Sequence, residues 1–298
     1  MSRIGFIGLG HMGSGMATNQ AKAQHVVKAF DLSAEALQRA EANGCHPVAS
    51  AADAVKDAEI VITMLPAGSH VRSVYETEVL PNAPRGALLI DCSTIDVDSA
   101  RAVAGKAAEA GFTFADAPVS GGIMAAEAGT LTFMVGCADD QYEAVRAALG
   151  PMAKAVVHAG AAGAGQAAKI CNNMVLGVTM LGVCEAFALG ERLGLDPERF
   201  FEIASRSSGS SWSINTYCPW PGVGPKTPAD NNYEGGFLTA LMLKDLKLAQ
   251  EAAARSGAAT PMGAQAEALY ALFDRMGYGG KDFSAVLQWM RGQPQVLN

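Results

Sequence analysis

The chain has 298 residues, half of them hydrophobic, which is enough for two domains or one large domain with a substantial core. Its formal net charge is −7 and it has no run of five basic residues, so nucleic acid is not an expected partner. Its six cysteines form no C-x-x-C pair and no His cluster accompanies them, which argues against a disulfide framework and a metal site and favours a reducing cytoplasm.

From residue 4 to about residue 160, short runs of strand-forming residues alternate with Ala-rich helical patterns. The predicted strands are Ile4–Ile7, Val26–Phe30, Ile60–Met64, Leu88–Asp91, Phe112–Ala115, Leu131–Val135 and Ala155–His158. The predicted helices are Met12–Ala23, Ala34–Asn43, Ala51–Val55, Ser69–Tyr75, Val97–Ala110 and Gln141–Leu149. Because such alternation is typical of a mostly parallel sheet covered on both faces, we expect an α/β fold with a Rossmann-like, doubly wound sheet.

The pattern changes to helical segments after about residue 160. We predict one long apolar helix over 166–193, followed by helices at Pro197–Ser205, Leu238–Ser256, Met262–Arg275 and Ser284–Met290. The expected domains are therefore 1–162, which contains the sheet, and 163–298, which is all-α and joined through the long helix. That helix carries Glu185 within its most apolar stretch, which is too short to span a bilayer, so no membrane partner is expected.

A stretch dense in Ser, Gly, Pro and Asn separates two of these helices, over residues 207–237. A loop this long inside a compact domain is usually functional, and a flexible insertion is the alternative.

A glycine-rich turn follows the first predicted strand and opens the first predicted helix. Its G-x-G-x-x-G spacing wraps a dinucleotide pyrophosphate, which the helix N-terminus attracts with its N–H groups and its dipole. The first glycine permits the tight turn, the second lets the backbone approach the phosphates, and the third lets helix and strand pack closely. The predicted cofactor-binding residues here are Gly8, Leu9, Gly10, His11, Met12 and Gly13.

An acid ends the second predicted strand. Asp31 follows Gly13 by 31 − 13 = 18 residues, and no arginine comes directly after it. A carboxylate at this position accepts hydrogen bonds from the adenosine ribose and repels a 2′-phosphate, so the expected cofactor is NAD rather than NADP. A chance acid beside an unrelated glycine turn is the alternative.

A lysine near the start of the long helix is a candidate base. Lys169 and Asn173 are four residues apart and therefore share a helix face, with apolar residues around them. Desolvation lowers the pKa of a lysine and makes the neutral amine available near neutral pH. The alternative is a lysine that extends from a helix end to solvent.

A second glycine turn follows the strand predicted at Phe112–Ala115. Ser120, Gly121 and Gly122 would expose N–H groups and a hydroxyl that can bind a carboxylate. The alternative is an ordinary tight turn, which such a tripeptide commonly forms.

Together these motifs resemble the β-hydroxyacid dehydrogenase family over nearly the whole chain. The blocks that carry the resemblance are Phe6–Gly13 with Met16, Asp116–Gly122, Gly163–Asn173 and Lys244-Asp245-Leu246. The resemblance implies that Lys169 is the catalytic lysine and that Asn173 helps to hold the substrate, with Asp245 beside the pocket. It also implies that the substrate carboxylate binds at Ser120, Gly121 and Gly122.

The resemblance also assigns further contacts. It implies that Lys244 reaches toward the cofactor and that the aromatic residues Trp212 and Tyr217 close the substrate pocket. The contacts that it implies on the nicotinamide side are Leu65, Pro66 and Thr94.

The implied activity is NAD-dependent oxidation of 3-hydroxyisobutyrate to methylmalonate semialdehyde, with neutral Lys169 as general base. The alternatives are dehydrogenation of another small β-hydroxy acid, such as L-serine, or a glycerate/tartronate semialdehyde reaction. A non-catalytic NAD-binding sensor is an alternative of a different class, since fold alone does not establish activity. Dimers or tetramers are implied as well.

The chain departs from these relatives at the end of its first helix. They commonly carry glycine where this chain has Ala23-Gln24-His25. Glycine adopts the left-handed cap conformation freely, so Gln24 is expected to cost stability of roughly 1 kcal/mol.

Overall fold

The structure is a computed structural model, and it describes residues 1–292. The chain divides into two compact units, Met1–Lys169 and a second unit that begins at Ile170. The first unit is α/β and the second is helical, which confirms the predicted fold class.

Nine strands form one sheet in the first unit. They are β1 (Arg3–Ile7), β2 (Val26–Phe30), β3 (His46–Pro47), β4 (Ile60–Thr63), β5 (Leu88–Asp91), β6 (Thr113–Asp116), β7 (Val119–Ser120), β8 (Leu131–Gly136) and β9 (Ala153–Gly160). β1 to β6 are parallel, in the order β3-β2-β1-β4-β5-β6, which is the order of dinucleotide-binding sheets. The carboxyl ends of these strands therefore lie along one edge of the sheet.

The sheet continues beyond β6 with a change of direction. β8 pairs antiparallel with β6 and with β7, and parallel with β9. The two-residue strands β3 and β7 carry no alternating pattern and were not predicted, whereas β2 and β5 have the predicted bounds.

Eight helices connect the strands of the first unit. They are α1 (His11–Lys22), α2 (Ala34–Ala42), α3 (Ala51–Val55), α4 (Gly68–Val74), α5 (Leu80–Asn82), α6 (Val97–Glu109), α7 (Gly122–Ala128) and α8 (Tyr142–Leu149). The short segments are a π-helix at Tyr75–Val79 and 3₁₀ turns at Asp139–Gln141 and Gly150–Met152. Side-chain caps begin several helices, as where Ser33 and Asp96 accept the N–H groups of Ala36 and Ser99.

Two apolar clusters pack the sheet into its helices. One contains Phe6, Met16 and Phe133, and the other contains Val61, Tyr75 and Leu89. These side chains are fully buried, as expected for a parallel sheet that helices cover on both faces.

The end of α1 carries the expected strained residue. Gln24 has a φ of 63°, in the left-handed region that glycine adopts without a Cβ penalty. The prediction of strain at this position is confirmed.

The long helix α9 spans Ala164–Arg192 and continues from the first unit into the second. By length and composition it could cross a membrane, yet half of its most apolar window is buried within the protein, as in the core helix of a globular protein. The other helices of the second unit are α10 (Pro197–Ala204), α11 (Trp212–Asn215), α12 (Thr239–Ser256), α13 (Pro261–Phe273) and α14 (Val286–Met290). Shorter 3₁₀ turns lie at Pro228–Asn231 and Phe283–Ala285, and a π-helix lies at Asp274–Tyr278.

The 207–237 segment is structured by its own side chains. It contains α11 and a 3₁₀ turn that Thr227 and Asp230 close as a capping box. The Tyr233 hydroxyl also donates to the Pro219 carbonyl at 2.8 Å. Between residues 170 and 292, β pairing is confined to one isolated bridge, Leu238 with Asp282.

Candidate functional site

The glycine turn after β1 is packed too tightly for side chains at two of its positions. Gly8 has a φ of 97°, and a Cβ there would lie 2.2 Å from the Met64 carbonyl oxygen. A Cβ at Gly13 would lie 1.9 Å from the Gly8 carbonyl oxygen, so α1 begins directly against the turn. These two glycines are therefore required by the fold itself.

Gly10 differs from its two neighbours in the motif. A Cβ at this position would meet no protein atom within 4 Å. The fold does not require glycine here, so the open space above its backbone fits a group that approaches the N-terminus of α1 from outside. A dinucleotide pyrophosphate fits this position, because α1 is twelve residues long and presents N–H donors and the positive end of its dipole.

Asp31 ends β2 and bonds to the same turn. Its Oδ2 accepts the Leu9 N–H at 2.6 Å, and its Oδ1 accepts the Ser33 N–H at 2.8 Å. The carboxylate is partly exposed, so its remaining lone pairs can accept ribose hydroxyls. The structure thus brings the predicted acid and the predicted turn together.

The second glycine turn joins β7 to α7. Ser120 ends β7, Gly121 has a φ of 135° and Gly122 has a φ of 71°. A Cβ at Gly121 would lie 2.6 Å from that of Ala125, so this turn also depends on glycine. Sequence reasoning predicted the turn and missed the helix that follows it.

α7 is held against α1 by a contact that sequence reasoning missed. A Cβ on Gly15 would lie 2.8 Å from the backbone of Ala126, and the Asn19 amide donates to the Ala126 carbonyl at 2.7 Å. The helix that begins at the first glycine turn therefore also positions the helix that follows Gly121. The fourth glycine of the run G-L-G-H-M-G-S-G was the available signal.

The loops after β4 and β5 contain the predicted nicotinamide-side residues Leu65, Pro66 and Thr94. The Leu65 N–H donates to the Ser93 hydroxyl at 2.7 Å, and that hydroxyl donates to Asp91 Oδ1 at 2.6 Å. These bonds tie one loop to the other at the carboxyl edge of the sheet.

Asp91 is the buried centre of this network, and sequence reasoning missed it. Thr63 donates to its Oδ1 at 2.7 Å, while its Oδ2 has no hydrogen-bond partner. Burial raises the pKa of Asp91 to about 6, partly offset by the bonds from Ser93 and Thr63.

The start of α9 is fixed to the same strand ends. Asp116, at the end of β6, accepts the N–H groups of Gly163 at 2.6 Å and Gln166 at 2.8 Å, which caps the helix with a carboxylate. The Gln166 side chain donates to the Ser93 carbonyl at 2.7 Å and accepts the Ile95 N–H at 3.0 Å. Burial raises the pKa of Asp116, and these backbone bonds oppose the shift.

Lys169 lies one turn after Gln166 on α9 and exposes only 7% of its surface. A buried ammonium is costly unless it is paired, so burial disfavours the charged form of a lysine. The expected desolvation of Lys169 is therefore present, while its role as base stays a prediction.

Asn173 follows one turn later on α9 and is also buried. In the second unit its amide donates to Asp245 Oδ2 at 2.5 Å, and its carbonyl oxygen accepts the Asn172 amide at 3.0 Å. Asp245 lies on α12 and is itself buried. The pair fixes which way the Asn173 amide faces.

Lys244 is half-buried on α12, beside a cavity of about 400 Å³. Lys247, Glu251 and Asp274 also line this cavity. Among residues 1–292, no group of three or more His, Cys, Asp or Glu side chains is placed to hold a metal ion.

Trp212 and Tyr217 form a stacked pair in the 207–237 segment. Their ring centroids are 4.8 Å apart at an interplanar angle of 19°, and Trp212 is 50% exposed. The Tyr217 hydroxyl faces inward and donates to Asp282 Oδ2 at 2.8 Å. The Tyr217 ring thus stacks on Trp212, while its hydroxyl bonds to a buried carboxylate.

Two family models match the chain. The model described as the NAD binding domain of 6-phosphogluconate dehydrogenase matches residues 3–160. The model described as the NAD-binding of NADP-dependent 3-hydroxyisobutyrate dehydrogenase matches residues 163–290.

The chain is also similar to individual proteins along nearly its whole length. It is 48% identical to the NAD-dependent L-serine dehydrogenase of Pseudomonas aeruginosa, over 96% of this chain and 97% of that one. It is 47% identical to the 3-hydroxyisobutyrate dehydrogenase of the same organism, over 98% of this chain and 100% of that one. The solved structure of Mycobacterium tuberculosis 3-hydroxyisobutyrate dehydrogenase with L-serine superposes with a TM-score of 0.94, at 47% identity and with 98% and 99% of the two chains covered.

The sheet order, the glycine turn and these matches define an oxidoreductase that binds a nicotinamide dinucleotide. The two glycine turns and the helix that carries Lys169 occur in one chain with relatives of 46–48% identity. The chain belongs to the β-hydroxyacid dehydrogenase family.

Proposed function

We propose that this protein oxidises a small β-hydroxy acid with NAD, and that 3-hydroxyisobutyrate, which would yield methylmalonate semialdehyde, is its substrate. The observation that carries the proposal is a buried lysine, Lys169, one turn before a buried asparagine, Asn173, on a helix capped by Asp116. Burial disfavours the charged form of a lysine, and a neutral amine is suited to act as a base.

In the proposed reaction, Lys169 takes the proton of the substrate hydroxyl as the alcohol becomes a carbonyl. Ser120, Gly121 and Gly122 bind the substrate carboxylate through N–H groups and a hydroxyl. Asn173 donates its second amide proton to the substrate, because Asp245 accepts the first. The dinucleotide, when bound, accepts the hydride from the substrate carbon. In the reverse direction protonated Lys169 returns the proton to the oxygen.

The choice of NAD rests on Asp31. Its carboxylate is fixed to the pyrophosphate turn by the Leu9 N–H, so its negative charge stays where a 2′-phosphate would lie. Lys244, Leu65, Pro66 and Thr94 are proposed as further contacts on the nicotinamide side. A cytoplasmic location and a homodimer or homotetramer complete the proposal.

L-Serine is the second candidate substrate. It is favoured by the 48% identical relative named for it and by the similar structure that was solved with it. In both candidates a single carbon joins the carboxylate to the carbon that carries the hydroxyl, and the two differ in the group on that central carbon.

The test is a substrate panel with purified protein. Formation of NADH from NAD, or of NADPH from NADP, is measured with 3-hydroxyisobutyrate, L-serine, glycerate and a hydroxyl-free control such as isobutyrate. We expect the highest kcat/KM for 3-hydroxyisobutyrate with NAD. A higher value for L-serine would replace the first substrate by the second, and NADH binding without turnover of any β-hydroxy acid would identify a sensor instead of an enzyme.

A further inference from the structure

One buried acid in the second unit collects donors from two separate parts of the chain. Asp282 is fully buried, and its Oδ1 accepts the N–H and the hydroxyl of Ser284 at 3.0 and 2.5 Å. Its Oδ2 accepts the Phe237 N–H and the Tyr217 hydroxyl, both at 2.8 Å. Bonds to a charged acceptor are stronger than neutral ones, so this carboxylate fixes its donors firmly.

The backbone beside this carboxylate leaves no room for a side chain at Gly236. Gly236 has a φ of 69°, and a Cβ there would lie 2.2 Å from Asp282 Oδ2 and 2.5 Å from the Tyr217 hydroxyl. The bond between Tyr217 and Asp282 is therefore covered by backbone at a position that only glycine fits. Removing the carboxylate would leave the Tyr217 hydroxyl without this acceptor, whereas removing the hydroxyl leaves Oδ2 bonded to the Phe237 N–H alone.

The Tyr217 ring has two aromatic neighbours. One neighbour is Phe283, next to Asp282 in the sequence, at 5.6 Å between centroids, and the other is the stacked ring of Trp212 at 4.8 Å. Trp212 is half exposed, whereas Tyr217 has its hydroxyl bonded inward. Asp282 therefore fixes Tyr217, and Tyr217 in turn supports Trp212.

We propose that Asp282 is a positioning residue for substrate specificity, which sets the orientation of the exposed Trp212 ring through the Tyr217 hydroxyl. This inference rests on the proposed function and on the pocket-closing role that the family resemblance implies for Trp212. Trp212 meets the group on the central carbon, where the methyl of 3-hydroxyisobutyrate and the ammonium of L-serine differ. Aromatic faces attract both groups, by apolar contact and by cation–π attraction, with different optimal distances.

The first test is Tyr217→Phe, which removes only the oxygen that Asp282 fixes. We expect KM for 3-hydroxyisobutyrate to rise about tenfold with kcat within about twofold, because binding geometry is lost and the base is unaffected. The ratio of kcat/KM between 3-hydroxyisobutyrate and L-serine should change by more than about threefold. NADH affinity should not change.

The matched control is Tyr233→Phe. It removes the same atom from another buried tyrosine of the second unit, whose hydroxyl donates to the Pro219 carbonyl instead. A general loss of packing would affect both variants alike, whereas the proposal requires that only Tyr217→Phe change the substrate ratio.

The second measurement does not depend on activity. Acrylamide quenching of Trp212 fluorescence, obtained as the difference between each protein and its Trp212→Phe counterpart, should increase in Tyr217→Phe and in Asp282→Asn. The asparagine side chain of the latter variant cannot accept from all four donors, because one of its two polar atoms is itself a donor. Ser284→Ala removes a donor on the other carboxylate oxygen and should have a smaller effect.

The outcomes separate the inference from the proposed function. If the wild-type protein oxidises β-hydroxy acids and Tyr217→Phe changes neither the substrate ratio nor the quenching, Asp282 is not a positioning residue. A second outcome is that the quenching changes while the wild-type protein oxidises none of these acids. Asp282 would then orient Trp212 without setting substrate specificity, and the proposed function would be overturned as well.

Discussion

The two units hold their candidate functional residues by different means. In Met1–Lys169 the central parts are backbone turns, which depend on the absence of side chains at Gly8, Gly13 and Gly121. In the unit that begins at Ile170 the parts are side chains, which are held by bonds such as that from Asn173 to Asp245, 72 residues away. An added side-chain atom should therefore disrupt the glycine turns, whereas a removed polar atom should disrupt the hydrogen-bonded side chains.

The largest expected effects on stability and on NADH binding come from adding one methyl group to the first glycine turn. Gly13→Ala should lower the free energy of unfolding by about 3 kcal/mol, since its Cβ falls 1.9 Å from the Gly8 carbonyl oxygen. Gly10→Ala should fold normally and weaken NADH binding by about 100-fold, because its Cβ meets only the space proposed for the pyrophosphate.

Thermal unfolding and NADH fluorescence titration of both alanine variants check this pair. Unchanged NADH affinity in Gly10→Ala would contradict the placement of the pyrophosphate over this turn.

In the first unit, Asp91 is a case in which a side chain and not a backbone turn is central. Its contribution should make the unfolding free energy depend on pH. Burial raises its pKa in the folded protein to about 6, so folding takes up a proton at this residue. The stability that this adds is fully present below the unfolded pKa of about 4 and is lost as the pH rises through 6. Between pH 4.5 and 7.5, the unfolding free energy of the wild type should fall by about 2 kcal/mol relative to that of Asp91→Asn.

Urea unfolding of the two proteins across this pH range measures the difference. A difference that stays constant with pH would show that Asp91 does not titrate there.

Asp31 links the turn to the choice of cofactor. Asp31→Ala removes both the bond to the Leu9 N–H and the negative charge, and should weaken NADH binding about tenfold while relaxing discrimination against NADPH. Asp31→Asn keeps an acceptor for Leu9 and loses only the charge, so it should relax discrimination with a smaller loss of NADH affinity. Kinetics with both cofactors distinguish these effects, and full wild-type preference in Asp31→Ala would make the assignment of NAD to this acid wrong.

The smallest predicted effect is a gain. Gln24→Gly should raise the free energy of unfolding by about 1 kcal/mol, because Gln24 has a φ of 63° and glycine adopts it without penalty. Gly44→Ala is the opposite change at the end of the next helix, with a φ of 87° and no atom closer than 3.8 Å, and should lower stability by about as much. Chemical denaturation of the two variants tests the pair, and a loss of stability in Gln24→Gly would contradict the strain argument.

The same contrast explains what the sequence could predict. Elements with a clear local pattern were readable, because β2 and β5 are short runs of mostly apolar residues and α3 is an alanine-rich helix with a serine cap. β3 and β7 have two residues each and no period, and α7 begins with a glycine, so no local pattern distinguished them from loops. The 207–237 segment looked structureless because its order comes from side chains such as Thr227 and Tyr233, which bond within the segment.

For the candidate site, glycine spacing identified both turns because a backbone requirement shows directly in the sequence. Asp91, Asp282 and Gly15 were missed because their roles depend on partners that the fold brings together. Gly15 approaches Ala126, and Asp282 lies 65 residues from Tyr217. Nothing local to these residues distinguishes them from an ordinary acid or glycine.

The central claim is that Lys169 is the base. Lys169→Ala should lower kcat by about 1,000-fold, the range expected for a lost general base, while NADH affinity measured by fluorescence titration in the same sample stays within about twofold. Lys154→Ala, at an exposed lysine on β9, is the control and should behave as the wild type. Near-normal turnover of 3-hydroxyisobutyrate by Lys169→Ala would remove this lysine from the mechanism.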